Sequence, residues 1–206
     1  MNDSILNKVN YYYSQKIIKN GATPEGVDWN SVESQNLRFD VLSNLINTKE
    51  PFSILDYGCG FGSMFQYFQQ KYSDFKYTGF DISQQMIDEA LKLHANNPSS
   101  SWVNSLEENS RFDFTIASGI FNVKLETSDS EWLDYIISTL HNLDSCSIKG
   151  FSFNILTKYS DKEYMKEYLY YADPLYIFDY CKLNFSRNVA LLHDYELYEF
   201  TIVVRK

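Results

Sequence analysis

From residue 50 onward the chain alternates short apolar runs with longer segments whose apolar residues recur every three or four positions. Strand-length runs read at about 52–56, 75–81, 101–104, 112–118 and 148–155, and helical periodicity reads at about 63–72, 83–94 and 129–143. Capping chemistry marks the helix starts. Ser83 precedes the second of these helices, and Ser128 with Glu131 forms a capping box for the third. Asp173-Pro174 opens a further helix running to about Leu183, with Tyr176, Ile177 and Tyr180 expected in the core. Residues 1–48 read as a helix near 4–19, an irregular link from Gly21 to Asn30, and a helix from about Ser31 to Ile46.

Strands alternating with helices predict an α/β fold, with a mostly parallel sheet and helices on both faces. The end of the chain changes character. Val189-Ala190-Leu191-Leu192 and the run Tyr198 to Val204 are joined by only His193-Asp194-Tyr195-Glu196-Leu197, too short for a crossover helix. An antiparallel hairpin is therefore expected. No internal repeat or low-complexity linker interrupts the 206 residues, which read as a single domain, with 1–48 a helical lid segment and 49–206 the core.

The most informative stretch is Ile54-Leu55-Asp56-Tyr57-Gly58-Cys59-Gly60-Phe61-Gly62, followed by the amphipathic Met64, Phe65, Tyr67 and Phe68. It describes a buried strand, a tight turn and a helix start, with glycines where a Cβ would obstruct a ligand. Further on, Tyr77-Thr78-Gly79-Phe80-Asp81 reads as a second strand ending in a carboxylate placed to accept from a ribose diol. The dehydrogenase fingerprint Gly-x-Gly-x-x-Gly would need its third glycine where Ser63 stands. An acid followed by Gly-x-Gly-x-Gly instead resembles the first motif of the class I S-adenosylmethionine-dependent methyltransferases. That resemblance covers residues 50–206 and implies a Rossmann-like seven-stranded sheet with a terminal antiparallel hairpin. It also implies S-adenosylmethionine as cofactor and S-adenosylhomocysteine as product.

Charge and composition narrow the acceptor. Net charge is −9, from 18 basic and 27 acidic side chains, and Lys and Arg are scattered without a basic face, so nucleic acid is disfavoured. The seventeen tyrosines and fifteen phenylalanines occur throughout the chain, as a compositional bias would place them. Cys59, Cys146 and Cys181 are odd in number and far apart, which indicates neither a disulfide framework nor a zinc site. No His and carboxylate cluster has metal-ligand spacing, so no metal is expected. No apolar run approaches the ~18 residues of a membrane span and the first residues do not resemble a signal peptide, so a cytoplasmic protein is expected.

The rule that ligands bind beyond the carboxyl ends of parallel strands sorts the candidate residues. After the first strand, Asp56, Gly58, Cys59, Gly60 and Gly62 should face the methionine part and ribose of the cofactor. After the second, Asp81 should hold the ribose hydroxyls, with Ile82 and Met86 beside the adenine. After the third, Asn104, Ser105 and Leu106 stand where related enzymes contact the adenine amino group; the nearest acids, Glu107 and Glu108, fall late. Ser118 and Gly119 should floor the pocket, with Phe121 and Asn122 facing the acceptor. Asn154, Tyr159 and Tyr195 are expected on the acceptor side as well. In the N-terminal segment, which resembles the lids of many small-molecule methyltransferases, Arg38 is placed to pair with the cofactor carboxylate or to lie solvated on its helix. His193, oriented by Asp194, is the candidate base, and the alternative is a turn residue without catalytic duty.

Together these features predict methyl transfer to a small polar metabolite, at a hydroxyl. The stretches 26–31 and 193–201 resemble those of small stand-alone bacterial methyltransferases. Two other readings stay open: a cofactor-binding or partner-activating module without turnover, and a protein or RNA methyltransferase. An Asn-Pro-Pro-Tyr-type motif is missing after the fourth strand, where Asn122-Val123-Lys124-Leu125 stands, which weakens amino acceptors.

Overall fold

The computed structural model describes residues 3–27, 31–95 and 97–206, so Asp28, Trp29, Asn30 and Asn96 of the stretches above lie outside the described residues. In chain order the elements are α1 (Asp3–Asn20), α2 (Val32–Leu42), β1 (Phe52–Tyr57), α3 (Ser63–Lys71), β2 (Phe75–Phe80), α4 (Gln84–His94), β3 (Ser100–Val103) and β4 (Phe112–Ala117). They continue with α5 (Asp129–Cys146), β5 (Ser147–Leu156), α6 (Pro174–Asn184), β6 (Asn188–Leu192) and β7 (Glu199–Arg205). Every element expected from the hydrophobic pattern is present, with differences confined to the ends. α2 stops at Leu42 and a 3-10 turn, Ser43–Leu45, completes the stretch that reads as helix to Ile46.

The strands form one sheet in the order β3-β2-β1-β4-β5-β7-β6, parallel through β5 and antiparallel where β7 enters between β5 and β6. Both faces are covered, which is why β1, β4 and β5 carry buried residues in nearly unbroken runs rather than in alternation. On one face α2 and α3 bring Phe39, Leu42, Phe65 and Phe68 against Ile54, Tyr77, Phe114 and Ile116. On the other, α5 and α6 bring Trp132, Ile136, Leu140 and Ile177 against Phe151, Phe153, Phe200 and Ile202. Each such side chain contributes about 1.5–3 kcal/mol by leaving water.

Local chemistry sets the helix ends. The Ser128–Glu131 capping box is formed, the Ser83 hydroxyl accepts from Met86 N–H, and Asp173 accepts from Leu175 N–H ahead of Pro174. One core expectation fails on α6. Ile177 is buried, but Tyr176 is exposed and Tyr180 half-buried, because the sheet meets only a narrow stripe of this edge helix. Strand order reverses between β1, which pairs with β2, and β4, which pairs with β5, and opens a crevice at their carboxyl ends.

Candidate active site

The stretch from Ile54 to Gly62 folds as its composition indicates. β1 delivers Asp56 to the carboxyl edge of the sheet, and the chain turns through Gly58 (φ 85), Gly60 (φ 54) and Gly62 (φ 91) into α3. A side chain in such left-handed backbone would cost about 1–2 kcal/mol per position. The turn is fastened to β2: Gly58 N–H and Cys59 N–H both donate to the Phe80 carbonyl, at 2.7 and 2.9 Å. Gly60 N–H donates to Asp81 Oδ2 at 2.9 Å, and Ser83 N–H donates to Asp81 Oδ1 at 2.8 Å. One carboxylate therefore joins the glycine turn to the start of α4.

The crevice holds a cavity of about 410 Å³, within the ~300–1,000 Å³ usual for small-molecule sites. Its walls include Asp56, Gly58, Cys59, Gly60, Asp81, Ile82, Met86, Leu106, Ser118 and Gly119, all anticipated from the sequence. Gly62 is not among them. A Cβ there would lie 2.5 Å from Trp102 and 2.8 Å from His94, so this third glycine is required by packing behind the turn.

Other wall residues were not anticipated: Leu6, Val9, Asn10 and Tyr13 of α1, Gln35 and Phe39 of α2, and Tyr57, Tyr135 and Asn142 across the sheet. The signal for α1 was in its spacing, since Leu6, Val9, Tyr13 and Ile17 recur at helical intervals and mark a buried face. α1 is held over the cavity by its Ser14 hydroxyl, 2.9 Å from Ser83 Oγ and donating to Gln85 Oε1 at 3.1 Å. Ile17 packs with Phe61 and Met86 beneath it.

The cavity is electrostatically one-sided. Burial raises the Asp56 carboxyl to about 7; a hydrogen bond from the Tyr77 hydroxyl opposes the rise and the nearby Asp81 charge adds to it. Burial likewise raises Asp81 to about 6, against the two backbone N–H groups that favour its ionised form. Asp56 Oδ1 and Ser118 Oγ are buried at the cavity without a hydrogen-bond partner among the described residues. Cys59 is buried and its thiol is pushed well up, which keeps it protonated and unreactive.

These shifts carry a sign for stability. Folding raises both carboxyls above their ordinary value of about 4, so their contribution is complete below about pH 4. It is lost as pH rises through 6 and 7. The half-buried His94, lowered by burial, acts in the opposite direction and costs stability as pH falls below about 6.5. Thermal melting of the cofactor-free protein at pH 5 and pH 8 isolates the first effect when wild type is compared with Asp56→Asn, which is neutral throughout. The variant should show a smaller drop towards pH 8; an unchanged pH dependence would contradict the raised Asp56 carboxyl.

Several anticipated residues do not reach the cavity. His193 and Asp194 are exposed, and the His193 ring lies 6.1 Å from Tyr159 and 6.0 Å from Phe200. β6 does point its carboxyl end toward the cofactor edge, but it is the outermost strand, three steps beyond β4, or about 14 Å. Tyr159 is exposed and the Tyr195 hydroxyl is paired with Thr201 Oγ1 at 2.8 Å. Phe121 is a core residue whose carbonyl accepts from Trp132 Nε1, and Asn122 Oδ1 accepts from Leu156 N–H at 3.2 Å. Asn104 donates to the Gln84 side chain and Ser105 is exposed, because the helix-free connection from β3 to β4 turns only Leu106 inward. Arg38 is buried on Glu199 and Asn154 lies beside it, both behind the cavity wall.

Comparisons with known proteins agree with this geometry. Residues 54–142 match a methyltransferase domain family. The chain is 45% identical over 162 residues to a Mycobacterium tuberculosis (strain ATCC 25618 / H37Rv) protein named "Putative methyltransferase Rv1506c", covering 79% of this chain and 98% of that protein. Among solved structures, a DhpI complex with S-adenosylhomocysteine superposes with a TM-score of 0.68 at 9% identity, covering 100% of this chain and 98% of that one. The Burkholderia thailandensis 1,6-didemethyltoxoflavin-N1-methyltransferase, with its substrate and S-adenosylhomocysteine bound, gives 0.62 at 15% identity, covering 95% and 88%. The acid and glycine turn, the carboxylate closing β2, the sheet order and the shared sequence together make this chain a member of the class I S-adenosylmethionine-dependent methyltransferases.

Proposed function

We propose that the protein transfers the methyl group of S-adenosylmethionine to a hydroxyl oxygen of a small, uncharged polar molecule in the cytoplasm. The observation that carries this reading is the roofed cavity, whose charged wall residues are Asp56 and Asp81 and which no Lys, Arg or His side chain lines among the described residues. The residues outside the description add no cationic side chain, being Met1, Asn2, Asp28, Trp29, Asn30 and Asn96. Such walls accept a cationic cofactor and disfavour a second ligand bearing phosphate or carboxylate. α1 over the opening supports a lid role for the N-terminal segment and leaves little access for a polymer. The Burkholderia enzyme, similar in fold, holds a small molecule beside its cofactor product.

In this reading the residues divide by chemistry. Asp81 would accept from the ribose hydroxyls, Ile82 and Leu106 would flank the adenine, and Gly58 and Gly60 would allow the close approach of the backbone. The unpartnered Asp56 Oδ1 and Ser118 Oγ fit the ammonium end, which needs acceptors. The cofactor supplies an electrophilic methyl on a sulfonium. The chain's share is alignment and exclusion of water, with Gln35, Tyr57, Tyr135 and Asn142 among the neutral polar wall residues that would face the acceptor. No histidine lines the cavity among the described residues, so a histidine base is not part of this proposal.

Release of S-adenosylhomocysteine by the purified protein tests the reading. Neutral hydroxylated compounds should support turnover, and their phosphorylated or carboxylated counterparts should fall by tenfold or more, about 1.4 kcal/mol. Turnover confined to a peptide, an RNA or the anionic counterparts would overturn it.

A further inference from the structure

A buried polar chain runs from the N-terminal segment to the cavity wall. Arg38 Nε on α2 donates to Glu199 Oε2 at 2.8 Å, and Arg38 Nη1 also donates to the Ser34 carbonyl at 2.9 Å. Asn154 Nδ2 on β5 donates to the other oxygen, Glu199 Oε1, at 2.8 Å. Gly119 N–H, beyond the end of β4, donates to Asn154 Oδ1 at 2.7 Å. Arg38 is 8% exposed, and Glu199 and Asn154 are 0% exposed. The sequence gives no warning of this arrangement, since its members are far apart in the chain.

We infer that Asn154 is a positioning residue for cofactor binding, held in one orientation by the Arg38–Glu199 pair so that its carbonyl pins the Gly119 turn. The inference rests on the cofactor site proposed above.

The chain has a direction. A guanidinium can only donate, so both Glu199 oxygens act as acceptors, one toward Arg38 and one toward Asn154. The Asn154 NH₂ must then face Glu199, which leaves its oxygen for Gly119 N–H. That fixes a turn in which Gly119 has φ 76 and its neighbours Ser118 and Ile120 both line the cavity. Ile120 also abuts the first glycine turn, because a Cβ on Gly58 would lie 2.3 Å from its Cγ2. The strut therefore sets the spacing of the two loops that form opposite sides of the crevice.

Glu199→Gln makes the test specific. A glutamine facing Arg38 with its oxygen presents its NH₂ to Asn154, whose amide must reverse and aim its own NH₂ at Gly119 N–H. Two donors then oppose each other. Adding Asn154→Asp removes the conflict, because the new carboxylate accepts both from the glutamine NH₂ and from Gly119 N–H and keeps one negative charge opposite Arg38. Calorimetry with S-adenosylhomocysteine should show Asn154→Ala and Glu199→Gln weakened about 5- to 100-fold, the usual loss for an orphaned buried group. The double variant should recover most of that loss. Ser152→Ala is the control: it removes a buried hydrogen bond to the Leu42 carbonyl on the same strand, and should lower the melting temperature while leaving affinity unchanged.

Amide exchange at Gly119 reports the strut directly. It should be slow in the cofactor-free wild type, fast in Glu199→Gln, and slow again in the double variant. Wild-type affinity reports on the cofactor site itself, and only differences among variants report on the strut. Affinity within twofold of wild type in Asn154→Ala, or a double variant no better than Glu199→Gln, would overturn the inference. Should the variants fail to fold, Gly119 exchange in wild type at the rate of an unstructured peptide would overturn it equally.

Discussion

Asp81→Ala should weaken S-adenosylhomocysteine binding by about 30- to 1,000-fold, and Asp81→Asn should recover little of that loss. That range corresponds to roughly 2–4 kcal/mol for charge-assisted hydrogen bonds to the ribose. The structure adds a reason why the near-isosteric asparagine fails. Each carboxylate oxygen already accepts from a backbone N–H, Oδ2 from Gly60 and Oδ1 from Ser83. An asparagine must point its NH₂ at one of those donors, leaving it unsatisfied and loosening either the glycine turn or the start of α4. Titration calorimetry on both variants measures the effect, with the melting temperature recorded to separate unfolding from lost affinity. An asparagine variant binding within threefold of wild type would contradict the double role given to this carboxylate.

Gly62→Ala should lower the melting temperature by about 5–15 °C, whereas Gly60→Ala should act chiefly on cofactor affinity. At Gly62 two costs combine: left-handed backbone, about 1–2 kcal/mol, and overpacking, about 1–3 kcal/mol. At this chain length each kcal/mol corresponds to about 2–4 °C. The overpacking follows from the stacked His94 and Trp102 rings, whose centroids are 5.0 Å apart directly behind the turn. Among the described residues a Cβ at Gly60 would meet only Val27 Cγ1 at 3.2 Å, on the cavity side, so the backbone cost remains but the collision falls where a ligand would sit. Thermal melting of the two variants decides the matter. Equal losses of stability would show that the glycines are not divided between packing and binding.

That division shows where sequence reading stops. Three glycines at alternate positions look equivalent in a string of letters, because their shared left-handed backbone is a local property. Which of them faces a ligand depends on what packs on the far side, here Trp102 and His94 from distant segments. Asp81 was recognisable as the acid closing β2, but not its grip on Gly60, which needs the turn and the second strand side by side.

The order of strands and helices, their capping residues, the glycine turn and part of the crevice lining beside β1, β2 and β4 (Asp56, Gly58, Cys59 and Gly60 with Asp81, Ile82, Ser118 and Gly119) were written in the sequence alone. All follow from spacing within a few residues and from the rule that parallel strands present ligands at their carboxyl ends. Only the tertiary structure decided lateral position. It moved His193 and Tyr159 to the outer edge of the sheet, placed Arg38 on Glu199, and drew the Leu6-to-Tyr13 face of α1 over the cavity. Hydrophobic periodicity tells a segment which of its faces is buried, but carries no information about what it is buried against. Lateral order comes from strand pairing and from charges that find partners across long separations, such as the 161 residues between Arg38 and Glu199.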